Sequence, residues 1–257
     1  MMSNDFLRPL PNYFPEGRGP ARYEQYDGRP AGNAVLPSFM AEHGTTVVVN
    51  ANRSIPADGS QGFRFGLVQS GILLTTIDLP NDRRQVLCFY CPGDLVFVDA
   101  FNRGKAIRFR ALGAVTIVGL NEQSLVTASE HSVDVRDTLM FEATRQINGL
   151  MLHNAALGRL RSEERLATFF LELALRIGEP SHDTVGFELR MRRDDIADYL
   201  SMNRDTLSRS MSKLKRNGTI TFVNPNFVIA KWKALGEATP LATSMLRGVS
   251  GARVDGD

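Results

Sequence analysis

Within one short stretch the chain places Arg204, Asp205, Ser208, Arg209 and Ser212, side chains whose groups match the exposed edges of nucleic-acid bases. Arginine bonds guanine O6 and N7 bidentately, a carboxylate accepts from cytosine N4, and serine serves as donor or acceptor. On a helix these positions all point outward, away from the apolar residues between them. Eight basic residues and four aspartates lie between Arg190 and Arg216, an excess of four, whereas the rest of the chain carries 22 basic and 24 acidic residues. The net charge of +2 therefore hides a local basic patch, and the chemistry on offer is contact with a polyanion.

The elements that must position these groups can be read from apolar spacing. Ile196, Ala197 and Leu200 form the inner face of one short helix, and Ser201-Met202-Asn203 makes a brief connection. Leu207, Met211 and Leu214 form the inner face of a second helix, which Asn203 is suited to cap. Two short helices around a three-residue turn are a helix-turn-helix. Gly218 ends the second helix, and Thr219–Val223 with Phe227–Ala230 flank Asn224-Pro225-Asn226, predicting a β-hairpin wing. A basic helix alone could be a solvated surface; helix, turn, helix and wing together argue for groove recognition.

Upstream, Ser162 to Ile177 predicts a helix with Glu163 and Glu164 in its first turn, stopped by Gly178 and Pro180. From Ser132 onward a heptad emerges. Val133, Met140, Ile147 and Asn154 occupy one position and Arg136, Ala143, Leu150 and Leu157 the other, six of the eight apolar. Met140, Ala143, Ile147, Leu150, Asn154 and Leu157 are thus candidate dimerisation residues, with Asn154 as a register-fixing polar position. The alternative is an amphipathic helix packed on its own domain.

The first half reads as β. Short runs at Thr45–Asn50, Phe63–Gln69, Ile72–Leu79, Gln85–Tyr90, Ile107–Leu112 and Val115–Val118 are separated by Gly, Asn, Asp and Pro, predicting an antiparallel sandwich or barrel. Gln69-Ser70-Gly71 and Pro92-Gly93-Asp94 mark tight turns. Residues 1–32, with five prolines, predict a flexible arm, and residues 239–257 a flexible tail.

At 257 residues, with 43% apolar and 23% charged side chains, the chain has ordinary globular composition. No apolar stretch approaches a bilayer span and the amino terminus has no leader-like apolar run, so a cytoplasmic protein is expected, with no membrane partner. Cys88 and Cys91 are the only cysteines, which fits a reducing compartment. As C-x-x-C on a strand they point to opposite faces; they are read as buried structural thiols or as a redox-sensitive pair. P-loop, G-x-S-x-G, H-E-x-x-H and paired-carboxylate motifs are absent, so no catalytic residue and no enzyme is expected, and no metal site.

The order of parts resembles the CRP/FNR superfamily of bacterial transcription regulators over roughly residues 45–235. Its most specific stretches are Asp82-Arg83-Arg84-Gln85-Val86-Leu87 running into Pro92-Gly93-Asp94-Leu95-Val96, then Glu163-Glu164-Arg165-Leu166-Ala167, and Asp195-Ile196-Ala197-Asp198-Tyr199-Leu200 leading into Arg204-Asp205-Thr206-Leu207-Ser208-Arg209. These look closest to the FNR and FixK branches. The resemblance implies an α+β fold: an N-terminal antiparallel β-roll (a cyclic-nucleotide-binding-like jelly roll), a long dimerisation helix and a C-terminal winged helix-turn-helix. The expected divisions are a 1–32 arm, a 33–130 sensor-like roll, a 131–158 dimerisation helix, a 159–238 DNA-binding domain and a 239–257 tail. It further implies a homodimer on a palindromic double-stranded operator, acting on RNA polymerase.

The family's base-reading Glu and Arg fall on Asp205 and Arg209, while Arg204 and Ser208 match the cyclic-AMP and FNR branches respectively. Asp205 is one methylene short of the usual Glu, and the half-site expected is near TTGA or GTGA. Arg193, Asn203 and Thr206 are placed to hold phosphate. Ser201 replaces a common glycine, and Arg192 stands where a Ser or Thr cap is usual, so Asp194 is expected to cap the first helix. The Gly-Glu and Arg-Ser pairs that hold cyclic AMP are missing from Phe97-Val98-Asp99-Ala100 and Lys105-Ala106-Ile107-Arg108-Phe109. Two cysteines cannot supply the four thiolates of an iron–sulfur cluster. Haem would draw on His43, His131, His153 or His182, none in a paired motif. No cofactor is therefore expected. The competing reading is a module that binds haem or another small molecule and acts through a protein partner.

Overall fold

The computed structural model describes residues 35–250 except 56–62, 64, 82, 99–106, 122, 125 and 128–131. The expected arm at 1–32, the Asp99, Ala100, Lys105 and Ala106 positions, His131 and residues 251–257 lie outside the described residues. A helix, α1 (Val35–His43), leads into eight strands: β1 (Thr45–Val49), β2 (Ser54–Ile55), β3 (Phe65–Ser70), β4 (Leu73–Leu79), β5 (Arg83–Tyr90), β6 (Leu95–Phe97), β7 (Ile107–Ala111) and β8 (Val115–Leu120). They form two antiparallel sheets, ordered β1-β8-β3-β6 and β2-β7-β4-β5, whose facing sides enclose one core. The roll anticipated from the sequence is present, with β2 and β6 added.

Gln69-Ser70-Gly71 is a crossing between the two sheets, since β3 and β4 belong to different ones. Gly71 has φ +80, and a Cβ there would stand 2.2 Å from the Ala114 carbonyl oxygen, so the corner requires glycine. Inside the roll, Val68, Leu73, Val96, Phe109, Val115 and Ile117 are buried around Phe63. Phe63 fits because Gly66 and Gly119 have no side chains; a Cβ on Gly119 would lie 2.3 Å from the Phe63 ring. Helix α1, which the sequence reading did not anticipate, seals the opposite side through Leu36 and Met40 against Val118, Leu120 and Val135.

Ser132 caps the next helix, α2 (Val133–Arg159), its hydroxyl accepting from the Val135 N–H at 3.3 Å. Helix α3 (Ser162–Ile177) has the predicted limits, but its N-cap is Arg161, whose N–H donates to the Glu164 carboxylate at 2.8 Å. Gly178 ends it at φ −79 because space is lacking: a Cβ would meet the Ala174 carbonyl oxygen at 2.3 Å.

The rest of the chain runs β9 (Glu179–Ser181), β10 (Thr184–Glu188), α4 (Arg193–Tyr199), α5 (Arg204–Arg216), β11 (Ile220–Asn224), β12 (Phe227–Lys231), α6 (Trp232–Glu237) and α7 (Ala242–Ser250). The wing is therefore the edge of a four-stranded sheet, β11-β12-β10-β9, rather than a lone hairpin. An apolar core joins Phe170 and Leu173 of α3 to Phe187, Ile196, Leu207 and Trp232, and reaches Val86 and Phe89 of the roll. The tail expected to be flexible contains α7, which seats Ala242 and Leu246 in that core.

Candidate nucleic-acid interface

Helix α4 buries Ile196 and Ala197, and α5 buries Leu207, Met211 and Leu214, so the two pack on their apolar stripes. The chain reverses between them at Ser201, which takes φ 49, the left-handed region that glycine usually fills. Two bonds fix the turn: Met202 N–H donates to Ala197 O at 2.9 Å, and Arg165 of α3 donates Nη1 to Leu200 O at 2.7 Å. Arg165 thus satisfies a carbonyl at the end of α4 that no helical N–H can reach.

Asn203 starts α5, its Oδ1 accepting from Thr206 N–H at 2.8 Å. Arg204 is held by Asp194, Nε to Oδ1 at 2.8 Å. Asp194, expected to cap α4, lies instead in its first turn; the cap position falls to Arg192 without a side-chain bond. Asp205, Ser208, Arg209 and Ser212 are all exposed along the outer face of α5. Arg209 donates to Thr206 Oγ1 at 3.3 Å, and Ser212 Oγ to Ser208 O at 2.9 Å. Asp195 and Asp198 turn away toward the roll and pair with Arg84 there, so the outward face is more basic than the residue count alone gives.

Arg193 does not share this face. It is half-buried between α5 and the wing, its guanidinium 5.0 Å from the Phe222 ring centre and donating to Met211 Sδ; burial lowers its pKa from the ordinary value. Lys215 Nζ lies 5.4 Å from the same ring. Together with Arg204, Ser208, Ser212 and Asn224 they line a cleft of about 520 Å³. The sequence reading missed Lys215 and Phe222, because a cation pair on one aromatic depends on the wing folding back over α5.

Along α2, Val133, Met140, Ile147, Leu150 and Met151 are more than half exposed, at 51–64%. Asn154 is exposed on the same helix, while Ala143 and Leu157 are partly covered. Val135, Thr138, Glu142 and Ala156 face inward. The predicted seam is therefore largely an outward apolar stripe, widened by Met151, and the inward contacts use other residues.

A second cluster joins α2, α3, α4 and the Pro92-Gly93-Asp94 turn. Asp94, almost fully buried, accepts from Arg145 of α2 at 3.0 Å, from Arg176 of α3 and from the Cys91 N–H at 2.7 Å. Arg176 also donates to Glu172 at 2.8 Å, and Tyr199 OH reaches Glu172 at 3.4 Å. The Tyr199 ring stacks on His153 with centroids 3.9 Å apart. Burial raises the Glu172 carboxyl to about 7 and lowers His153 to about 4. Both cysteines are free, and burial pushes the Cys88 thiol up to about 12, the reverse of an activated thiolate. Among the described residues no three His, Cys, Asp or Glu side chains form a group that could hold a metal ion.

Residues 164–238 match the Crp-like helix-turn-helix domain. The chain is 28% identical over 173 residues to the transcriptional regulatory protein btr of Bordetella pertussis, covering 64% of this chain and 66% of that protein, just under two thirds. Against the nitrogen fixation regulation protein FixK of Azorhizobium caulinodans it is 28% identical over 196 residues, covering 75% of this chain and 77% of that one. The solved structure of FixK2 from Bradyrhizobium japonicum has the same fold, with a TM-score of 0.65 at 24% identity over 76% of this chain and 97% of the other.

Proposed function

From a chain that belongs to the CRP/FNR superfamily, as a transcription regulator with a helix-turn-helix DNA-binding domain, we propose a cytoplasmic homodimer that reads a palindromic operator and controls transcription initiation through RNA polymerase, without cyclic AMP, haem or an iron–sulfur cluster. The observation that carries this reading is the outer face of α5: Asp205, Ser208, Arg209 and Ser212 stand exposed on a helix whose other side is locked into the core. In this reading Arg209 and Asp205 contact base edges, Ser208 and Arg204 assist, and Thr206 with Lys215 meets phosphates. Asn203 acts indirectly, by fixing where α5 begins.

The stripe on α2 supports the dimer, since apolar side chains more than half exposed at heptad spacing call for a second helix. Among the described residues no helix is long and apolar enough to cross a membrane.

Fluorescence anisotropy with a palindromic TTGA-type duplex tests the proposal. The purified protein, with nothing added, is expected to bind tightly and with steep salt dependence. Binding that appears only after an effector is added favours the small-molecule module, and no specific binding under any condition removes the operator reading. Arg209→Ala should weaken specific binding by about 1–3 kcal/mol and relax selection at one base position.

A further inference from the structure

Asp195, on the first helix of the reading unit, is 1% exposed, and its partners come from the roll rather than from its own domain. Arg84 of β5 donates Nη2 to Asp195 Oδ1 at 2.8 Å, and Arg110 of β7 donates Nη2 to both carboxylate oxygens at 3.0 Å. Arg84 also donates Nε to Asp198 Oδ2 at 2.8 Å, so one guanidinium spans two residues three apart on α4. Gln85 adds a bond from Nε2 to the Asp198 carbonyl oxygen.

β5 and β7 flank β4 on opposite sides, so the two arginines grip α4 from different strands of one sheet. A single ion pair would leave a pivot. Two anchors on separate strands, with Tyr199 packed at the far end of α4 on Phe89 and His153, leave the helix no free rotation. The short turn held by Arg165 carries that orientation on to α5.

We propose that Arg84, Arg110 and Asp195 are positioning residues that set the spacing between the two half-sites the protein accepts. The inference rests on the homodimer reading above: in a two-fold dimer, the tilt of α4 against the roll fixes the distance between the two α5 helices. That distance must match about one turn of DNA, roughly 34 Å. These side chains touch no base, and they act on operator choice only through the attitude of α5.

The experiment uses the full-length protein and a set of duplexes with identical half-sites and spacers lengthened or shortened by one and two base pairs, with sedimentation equilibrium reporting the dimer. Wild type is expected to lose about tenfold or more in affinity per base pair of spacer error. Asp195→Asn keeps the side-chain shape and leaves two arginines that both reach solvent. It should bring the affinities for all spacers within about threefold of one another, while keeping the wild-type preference for the half-site sequence. Arg84→Gln, at the more exposed partner, should show the same flattening and serves if Asp195→Asn folds poorly. Wild-type spacing selectivity retained in both variants overturns the clamp alone, and so does an equal loss on every spacer, which marks a purely structural role. A dimer-free wild type, or one indifferent to spacing, overturns the palindrome reading and the clamp with it.

Discussion

Ser201 carries the tightest local constraint in the reading unit, a left-handed backbone in a residue with a Cβ. Its strain is of order 1 kcal/mol, partly offset by the lower entropy of a serine-containing unfolded chain. Ser201→Gly should therefore raise stability by no more than about 0.5 kcal/mol in urea denaturation, with operator affinity unchanged. His153 and Glu172 flank Tyr199 and titrate in opposite senses. His153, lowered to about 4 in the fold from 6.5, holds fewer protons native than unfolded, so its contribution falls as pH drops from 6.5 toward 4. Glu172, raised to about 7 from 4.5, holds more protons native than unfolded, so its contribution grows as pH drops from 7 toward 4.5. The two offset in the wild type. Between pH 7 and pH 5, Glu172→Gln should lose on the order of 1 kcal/mol relative to wild type and His153→Gln should gain a similar amount, after allowing for partial exposure. Parallel pH profiles for the two variants would show that neither group titrates in this window.

At the scale of elements, α2 does two jobs with two faces. Val135 and Ala156 fasten it to its own chain, while Met140, Ile147 and Leu150 point outward. Placing a charge at the centre of that outward stripe, Ile147→Glu, should raise the dimer dissociation constant by about tenfold or more in sedimentation equilibrium without unfolding the monomer, because the residue is 56% exposed there. A fall in thermal stability at monomeric concentrations would instead place Ile147 in the intramolecular core. The long elements were legible in the sequence because each has an unbroken period: α2 by heptads, α3 by its acidic first turn and Gly178, α5 by Asn203 and its three inner apolar residues. What escaped was short or borrowed. β2 and β6, of two and three residues, have too few positions to show alternation. β9 reads Glu-Pro-Ser, exposed throughout, and is a strand only because β10 pairs with it. α7 is helical against a core that α3 and α6 complete.

For the molecule as a whole, the outward face of α5 could be inferred from spacing, but its attitude could not. Asp195 and Asp198 looked like two more charges in a basic stretch; their partners Arg84 and Arg110 lie 111 and 85 residues away from Asp195, a separation no local pattern reports. The same is true of Arg193, which left the phosphate-facing set for the cleft under the wing once Phe222 closed over it. Charge on this surface is thus arranged by tertiary pairing: Asp195 and Asp198 turn inward to the roll, while Arg204, Arg209 and Lys215 are left exposed. The roll contributes rigidity to that arrangement, through the clamp and through Asp94, which ties α2 and α3 to one turn.

Phe63 holds the roll shut from within, against Gly66 and Gly119. Trimming it to alanine would cost about 3–5 kcal/mol and leave a dry, ring-sized void, the kind of space that small apolar guests enter. Because a guest that binds only the folded chain restores stability by mass action, the same position is a natural handle for engineering: the folding of the Phe63→Ala chain, and with it any grip on DNA, would be switched on by an aromatic compound of the experimenter's choosing.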